Sequence, residues 1–106
     1  MANWYSTYFE TKDKDIVKLI KDGQTIDFNY NEENGNGNCS LRWGLNALDM
    51  DAIDNIATNN NSSFFIRATD VMGCSQHIWG YENGKENVAE VKEIEPVWQY
   101  VDDVEE

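Results

Sequence analysis

Apolar and polar residues alternate with two different periods along this chain, and the changes of period divide it into strands and helices. Residues 3–10 are rich in aromatic and hydroxyl side chains, which favours a first strand. Two later stretches place an apolar residue at every second position, which predicts a hairpin with a polar tip over Asn31–Asn38: Ile26, Phe28 and Tyr30, then Cys39, Leu41 and Trp43. Three more strands are predicted over 63–70, 74–81 and 88–94. Asn83-Gly84 joins the last two, because a primed turn needs positive φ at both positions.

Apolar residues recur at the spacing of an α-helix in two segments of the chain. In the first helix the apolar residues oppose three lysines, and candidate caps precede it between Thr11 and Asp15. Gly23 is predicted to end this helix in the left-handed conformation. The second helix begins at Asp49, and its apolar stripe consists of Met50, Ala52, Ile53, Ile56 and Ala57.

This order of elements predicts an α+β fold of the ferredoxin-like split βαβ type, β-α-β-β-α-β, followed by a C-terminal hairpin. Two helices should cover one face of an antiparallel sheet. A length of 106 residues fits one domain, residues 1–101, with an acidic tail over 102–106. The expected core is Trp4, Ile16, Leu19, Ile20, Ile26, Phe28, Leu41, Trp43, Ile53, Ile56, Phe64 and Ile66.

The charge balance excludes some classes of partner. Twenty acidic residues against eight basic ones give a net charge of −12. Direct binding to nucleic acid or to an anionic membrane surface needs a basic face, which eight cations among twenty anions do not favour. No apolar run approaches the roughly 20 residues of a membrane span, and the first residues do not resemble a signal peptide. We therefore expect a cytoplasmic domain.

Residues with the potential for catalysis are few and poorly arranged. The two cysteines, Cys39 and Cys74, are interpreted as buried free thiols, and the single histidine, His77, lies in a predicted strand. A Cys–His pair is conceivable, but a structural strand histidine is the commoner case. The acids Asp49, Asp51 and Asp54 lack the glycine and glutamate of a calcium loop. We expect no enzyme activity, no catalytic residue, no bound metal and no cofactor.

The opening Met1-Ala2-Asn3-Trp4, the short first helix and the position of Trp43 before the second helix resemble the YubB/Api-type domains of phages and plasmids. Members of that family typically open Met-x-Asn-Trp-Cys-x-Asn, where this chain has Tyr5, Ser6 and Thr7 after Trp4. The resemblance implies a ferredoxin-like fold and an origin in a mobile element. It implies no catalytic residues.

The acids are concentrated toward the C-terminus. From Glu82 to Glu106 there are nine acidic and two basic residues, so the net charge is 2 − 9 = −7. Carboxylates interspersed with aromatic residues can imitate nucleic acid, although acids also simply keep a surface soluble. The expected partner-binding residues are Glu82, Glu86, Glu90, Glu93, Glu95, Trp98, Tyr100, Asp102 and Asp103.

The favoured hypothesis is a non-enzymatic inhibitor that blocks the nucleic-acid groove of a basic host defence protein, either a CRISPR effector or a restriction complex. One alternative is a small-ligand-binding domain that uses the open sheet face or the space beneath Asn31–Asn38, where Trp43, Trp79 and Tyr81 could stack on a planar ligand. The other alternative is a structural domain that dimerises through its last strand, since few charges protect that edge.

Overall fold

The computed structural model describes residues 3–72 and 75–93, and this part of the chain forms six strands and two α-helices. In chain order the elements are β1 (Trp4–Thr11), α1 (Lys14–Asp22), β2 (Thr25–Asn31), β3 (Asn36–Arg42), a 3₁₀ helix (Gly44–Ala47), α2 (Met50–Asn60), β4 (Phe64–Asp70), β5 (Ser75–Glu82) and β6 (Lys85–Glu93). The prediction of an α+β fold with an antiparallel sheet and two helices is confirmed. The predicted tail, residues 102–106, and Cys74 lie outside the described residues.

All six strands belong to one sheet in the order β2-β3-β1-β4-β5-β6, and all neighbours are antiparallel. Strand β1 is central: Tyr5 pairs with Leu41 of β3 on one side and with Asp70 of β4 on the other. The β5–β6 hairpin extends the sheet beyond β4. Its turn has positive φ at both Asn83 and Gly84, as the sequence predicted.

Each strand presents alternate residues to the two faces of the sheet. We call the covered side the helix-side face and the other the open face. In β1 the helix-side residues are Tyr5, Thr7, Phe9 and Thr11, all buried. The helices α1 and α2 contact each other and bury their own apolar residues against this face: Ile16 and Ile20 of α1, Ile53 and Ala57 of α2.

Asp13 links the two helices. It is the N-cap of α1, where its Oδ1 accepts a hydrogen bond of 2.9 Å from the backbone N–H of Asp15. Its Oδ2 accepts from the side chain of Asn60 at 3.1 Å and from the hydroxyl of Ser62, both at the end of α2. Partial burial opposes ionisation of Asp13, but the hydrogen bonds that its carboxylate accepts from Ser62, Asn60 and the backbone at the start of α1 together outweigh it and lower the pKa of this carboxyl.

Gly23 ends α1, but in an extended conformation with φ −72°, so the predicted left-handed cap is wrong. The glycine is needed for a different reason. A Cβ atom at this position would lie 2.6 Å from the backbone oxygen of Ala47, which accepts a hydrogen bond from the N–H of Gln24. The absent side chain therefore lets the 3₁₀ helix approach the end of α1.

The prediction of Ile26 as a core residue is wrong because β2 is irregular. Asp27 has φ +55°, and the pairing with β3 shifts between Ile26 and Asn29. This irregularity turns Ile26 to the open face, opposite Ser40, where it is 48% exposed. Beyond it, Phe28 and Tyr30 pack on Phe9 with ring centroids 5.6 and 6.0 Å away.

Two tryptophans predicted to be core residues also lie elsewhere. Trp43 leaves the strand with φ +64° and is 42% exposed, because the chain turns there into the 3₁₀ helix, an element that was not predicted. Trp4 is half-buried, and strand alternation places it on the open face. The core instead contains Tyr5, Phe9 and Leu45.

The polar tip between β2 and β3 is shorter than predicted. Strand β2 continues to Asn31 and β3 begins at Asn36, which leaves a turn of four residues, 32–35. Within residues 3–72 and 75–93, no helix is both long and apolar enough to cross a membrane.

Two isoleucines provide a test of this packing. Replacing Ile53, which is fully buried, with Ala should lower the free energy of unfolding by about 2–5 kcal/mol through the cavity it creates. The matched variant Ile26→Ala should cost less than about 1 kcal/mol, because Ile26 is half exposed. Urea denaturation measures both. Equal losses for the two variants would contradict the orientation of β2 or the phase of α2.

Candidate partner-binding surface

The predicted acidic residues of the β5–β6 hairpin lie on both faces of the sheet. Glu82, Glu86 and Glu90 are all exposed. Glu86 lies on the helix-side face, whereas strand alternation places Glu82 and Glu90 on the open face. Glu93 ends β6 and its backbone pairs with Ser75. The other predicted residues lie outside the described part of the chain: Glu95, Trp98, Tyr100, Asp102 and Asp103.

Two buried aromatic side chains connect the hairpin to acids on its helix-side face. The indole Nε1 of Trp79 donates a 2.9 Å hydrogen bond to Glu86 Oε2. The hydroxyl of Tyr81 donates to Asp54 Oδ1 on α2. The pKa of Tyr81 is raised, first by burial, then by this hydrogen bond and the negative charges of Asp54 and Glu86. The two carboxylates therefore act on one aromatic pair, Trp79 and Tyr81, whose ring centroids are 5.6 Å apart.

Helix α2 and its N-cap carry further acidic residues next to Asp54. Asp49 caps it by accepting a 3.1 Å hydrogen bond from the N–H of Ala52, and Asp51 is exposed in its first turn. No Lys or Arg occurs between Arg42 and Arg67, whereas α1 contains three lysines. The layer of two helices is thus acidic on the α2 side. We define the α2 acidic surface as Asp49, Asp51, Asp54 and Glu86.

A groove of about 240 Å³ adjoins the α2 acidic surface. Its walls come from the 3₁₀ helix, the start of α2 and strands β5 and β6, and they include Leu45, Met50, Trp79, Glu86, Ala89 and Val91. Val91 is 69% exposed. Apolar side chains beside carboxylates suit a lysine or arginine of a partner, because the aliphatic stem of such a residue can contact the former while its charge meets the latter.

His77 helps to hold the wall of this groove. It is buried on β5, and its Nδ1 accepts a 3.1 Å hydrogen bond from the backbone N–H of Leu45. The ring also lies 4.8 Å from that of Tyr5. Gly44 has φ +66°, and a Cβ there would lie 2.4 Å from His77 Nδ1, so the imidazole occupies space that only glycine leaves open.

His77 was a candidate partner of either cysteine. Cys39 lies far from it, and Cys74 is outside the described residues. Cys39, Thr7, Ala68 and His77 form one row across β3, β1, β4 and β5. Three strand spacings separate the ends of this row, about 14 Å. Burial raises the pKa of the Cys39 thiol to about 12. Cys39 and His77 therefore do not form a dyad.

A second concavity, of about 540 Å³, lies at the opposite end of the sheet. It is lined mainly by polar residues from the segment between β1 and α1, the β2–β3 turn, the segment before β4 and the hairpin, including Lys12, Asn34, Asn36, Ser63 and Glu82. Two of the three aromatic residues proposed to stack on a ligand, Trp79 and Tyr81, are buried in the core instead. Trp43, which is exposed, follows β3 at the other end of the sheet.

Sequence reasoning located the hairpin acids but not their continuation onto α2. From the sequence alone, the acids of α2 resemble only an incomplete calcium loop or the start of a helix. The long stretch without a cation between Arg42 and Arg67 was the signal available. The hydrogen bonds that join Asp54 and Glu86 to the aromatic pair connect residues on different elements and leave no local pattern.

Comparison of the chain with protein-family models, with curated proteins and with solved structures found no match. Among the described residues, no group of three or more His, Cys, Asp or Glu side chains is arranged to hold a metal ion.

The histidine predicts a pH dependence of stability. Burial lowers the pKa of His77 below its ordinary value of 6.5, with Asp70 acting in the opposite direction. The unfolded chain therefore binds the proton more readily, and stability should fall as the pH drops below about 6.5. Because this chain has a single histidine, His77→Asn, which keeps a hydrogen-bond acceptor, should flatten the profile between pH 7 and 5. An unchanged profile in thermal denaturation would contradict this assignment.

Proposed function

We propose that this domain is a non-enzymatic inhibitor that binds a basic, nucleic-acid-handling protein and occupies its nucleic-acid groove. The observation that carries the proposal is the α2 acidic surface. Three of its carboxylates belong to a chain segment without Lys or Arg, and the fourth, Glu86, lines the apolar groove. Such a surface offers a basic cleft both negative charge and apolar contact.

The charges would act mainly on the rate and the specificity of association. Exposed carboxylates contribute little individually, since water and salt screen them. Several of them facing a basic cleft attract the partner over a longer range and raise the association rate at low salt. The groove beside them supplies the contact area that charge alone does not provide.

The identity of the target class rests on the sequence. The resemblance to YubB/Api-type domains supports an origin in a phage or plasmid and a target among host defence complexes, in the cytoplasm of the host cell. The strand order β2-β3-β1-β4, with one helix between β1 and β2 and another between β3 and β4, supports the ferredoxin-like assignment. In that assignment β5 and β6 are the added hairpin.

Charge reversal on the α2 acidic surface tests the proposal. Asp51→Lys/Glu86→Lys should weaken binding to the target severalfold or more, because like charges would then face the basic cleft. The control Glu32→Lys/Glu33→Lys changes the net charge equally, from −12 to −8, in the β2–β3 turn at the opposite edge of the sheet. Binding to purified CRISPR effectors and restriction complexes would be measured by calorimetry, with DNA as competitor.

The proposal also specifies how the binding responds to conditions. Affinity should fall steeply between about 50 and 200 mM salt, and DNA should compete. The melting temperature of each variant checks that the fold is retained. Equal binding by the two double variants would refute the role of the α2 acidic surface. The variant with Glu93, Glu95, Asp102 and Asp103 changed to Lys tests the predicted C-terminal acids separately.

A further inference from the structure

Among the described residues β6 is an outer strand of the sheet with no neighbour beyond it, and its edge is better suited to pairing than the opposite edge. The other outer strand, β2, is interrupted by the positive φ of Asp27 and its shift in register. In β6 the pairing with β5 skips only Asn87, and it is regular from Val88 to Glu93. A free, regular edge leaves alternate backbone N–H and C=O groups available to another strand.

We infer that β6 pairs antiparallel with β6 of a second copy of this chain, with the two-fold axis at Val91. In this register Val91 lies opposite Val91 of the second copy, and Glu90 lies opposite its Lys92. The inference does not depend on the α2 acidic surface, although Val91 at the proposed axis also lines the groove beside that surface.

Charge selects this register from those that the regular part of β6 allows. Directly opposed side chains of antiparallel strands lie on the same face of the sheet. A two-fold axis perpendicular to the sheet therefore has to lie between one residue and the same residue of the second copy. An axis at Glu90 would place two glutamates opposite each other, and one at Lys92 two lysines. An axis at Ala89 would place Glu90 opposite Val88, without an ion pair. Only the axis at Val91 forms two cross-strand Glu–Lys pairs, and both lie on the open face, because Glu90 and Lys92 pair with Ile78 and Gln76.

The same register accounts for an exposed apolar residue. Val91 pairs with His77 on the helix-side face and is 69% exposed in the single chain. Directly opposed residues of antiparallel strands are about 5 Å apart, so the two valine side chains would contact each other at the axis. Such pairing would join two six-stranded sheets into one of twelve strands, with both helix layers on the same side.

Paired charge changes test this assembly. Lys92→Glu would place a glutamate opposite Glu90 of the other copy, and Glu90→Lys would place a lysine opposite its Lys92. Each variant alone should raise the dimer dissociation constant about tenfold or more, since favourable pairs are replaced by repulsive ones. A mixture of the two variants should form a heterodimer, because every cross-strand pair is then again of opposite charge. Lys85→Glu, outside the paired segment, is the matched control.

Sedimentation equilibrium over a concentration series that reaches the millimolar range measures these constants, and circular dichroism checks folding. The expected result is a concentration-dependent dimer for the wild-type chain and for Lys85→Glu, weaker dimers for the single variants, and recovery in their mixture. A wild-type chain that stays monomeric would overturn the inference. This holds even if residues 94–106 of the same chain are what cover the edge. So would a dimer that Lys92→Glu leaves unchanged.

Discussion

The structure depends on how two short helices cover one face of a wide sheet. Packed helices lie about 8–10 Å apart, whereas neighbouring strands are separated by about 4.8 Å, so each helix covers roughly two strands. Two helices therefore suffice for four strands, and this sheet has six. The hairpin must cover its helix-side face by other means, and it does so with its own aromatic residues, Trp79 and Tyr81, and with the 3₁₀ helix beside them.

Because the two helices do not cover the β5–β6 hairpin, the candidate surface lies beside this hairpin. Trp79 and Tyr81 are amphipathic, so each buries its ring and directs a polar group outward, to Glu86 and Asp54. The apolar groove lies at the margin of the helix layer, where only the first residue of α2, Met50, reaches the hairpin. Carboxylates and an apolar depression thus occur together because the edge of the helix layer falls on these strands.

The sequence predicted the elements whose signal is local and repeated. The helical stripe after Asp49 and the turn at Asn83-Gly84 were both correct, because capping and turn chemistry act within a few residues. The predicted positions of Ile26 and Trp43 were wrong because Asp27, next to Ile26, and Trp43 itself adopt positive φ. The alternation of apolar and polar residues does not reveal a positive φ at a non-glycine residue.

The candidate surface was predictable in composition but not in arrangement. An excess of acids in the C-terminal third is visible in the sequence, and so is the absence of cations around α2. The pairing of Tyr81 with Asp54 spans 27 residues and depends on the sheet order. The burial of His77 likewise depends on a glycine 33 positions earlier in the chain, at Gly44.

The short segment between α2 and β4 has a consequence for the cooperativity of folding. The hydroxyl of Ser62 donates to Asp13, and its carbonyl accepts from the N–H of Gly84. Ser63 accepts from the N–H of Asn83 and from the hydroxyl of Thr11. These bonds join both helices, the central strand and the hairpin turn at two adjacent residues. The hairpin turn should therefore exchange its amide protons with solvent together with the helix ends, as one unit, and not open as an independent appendage.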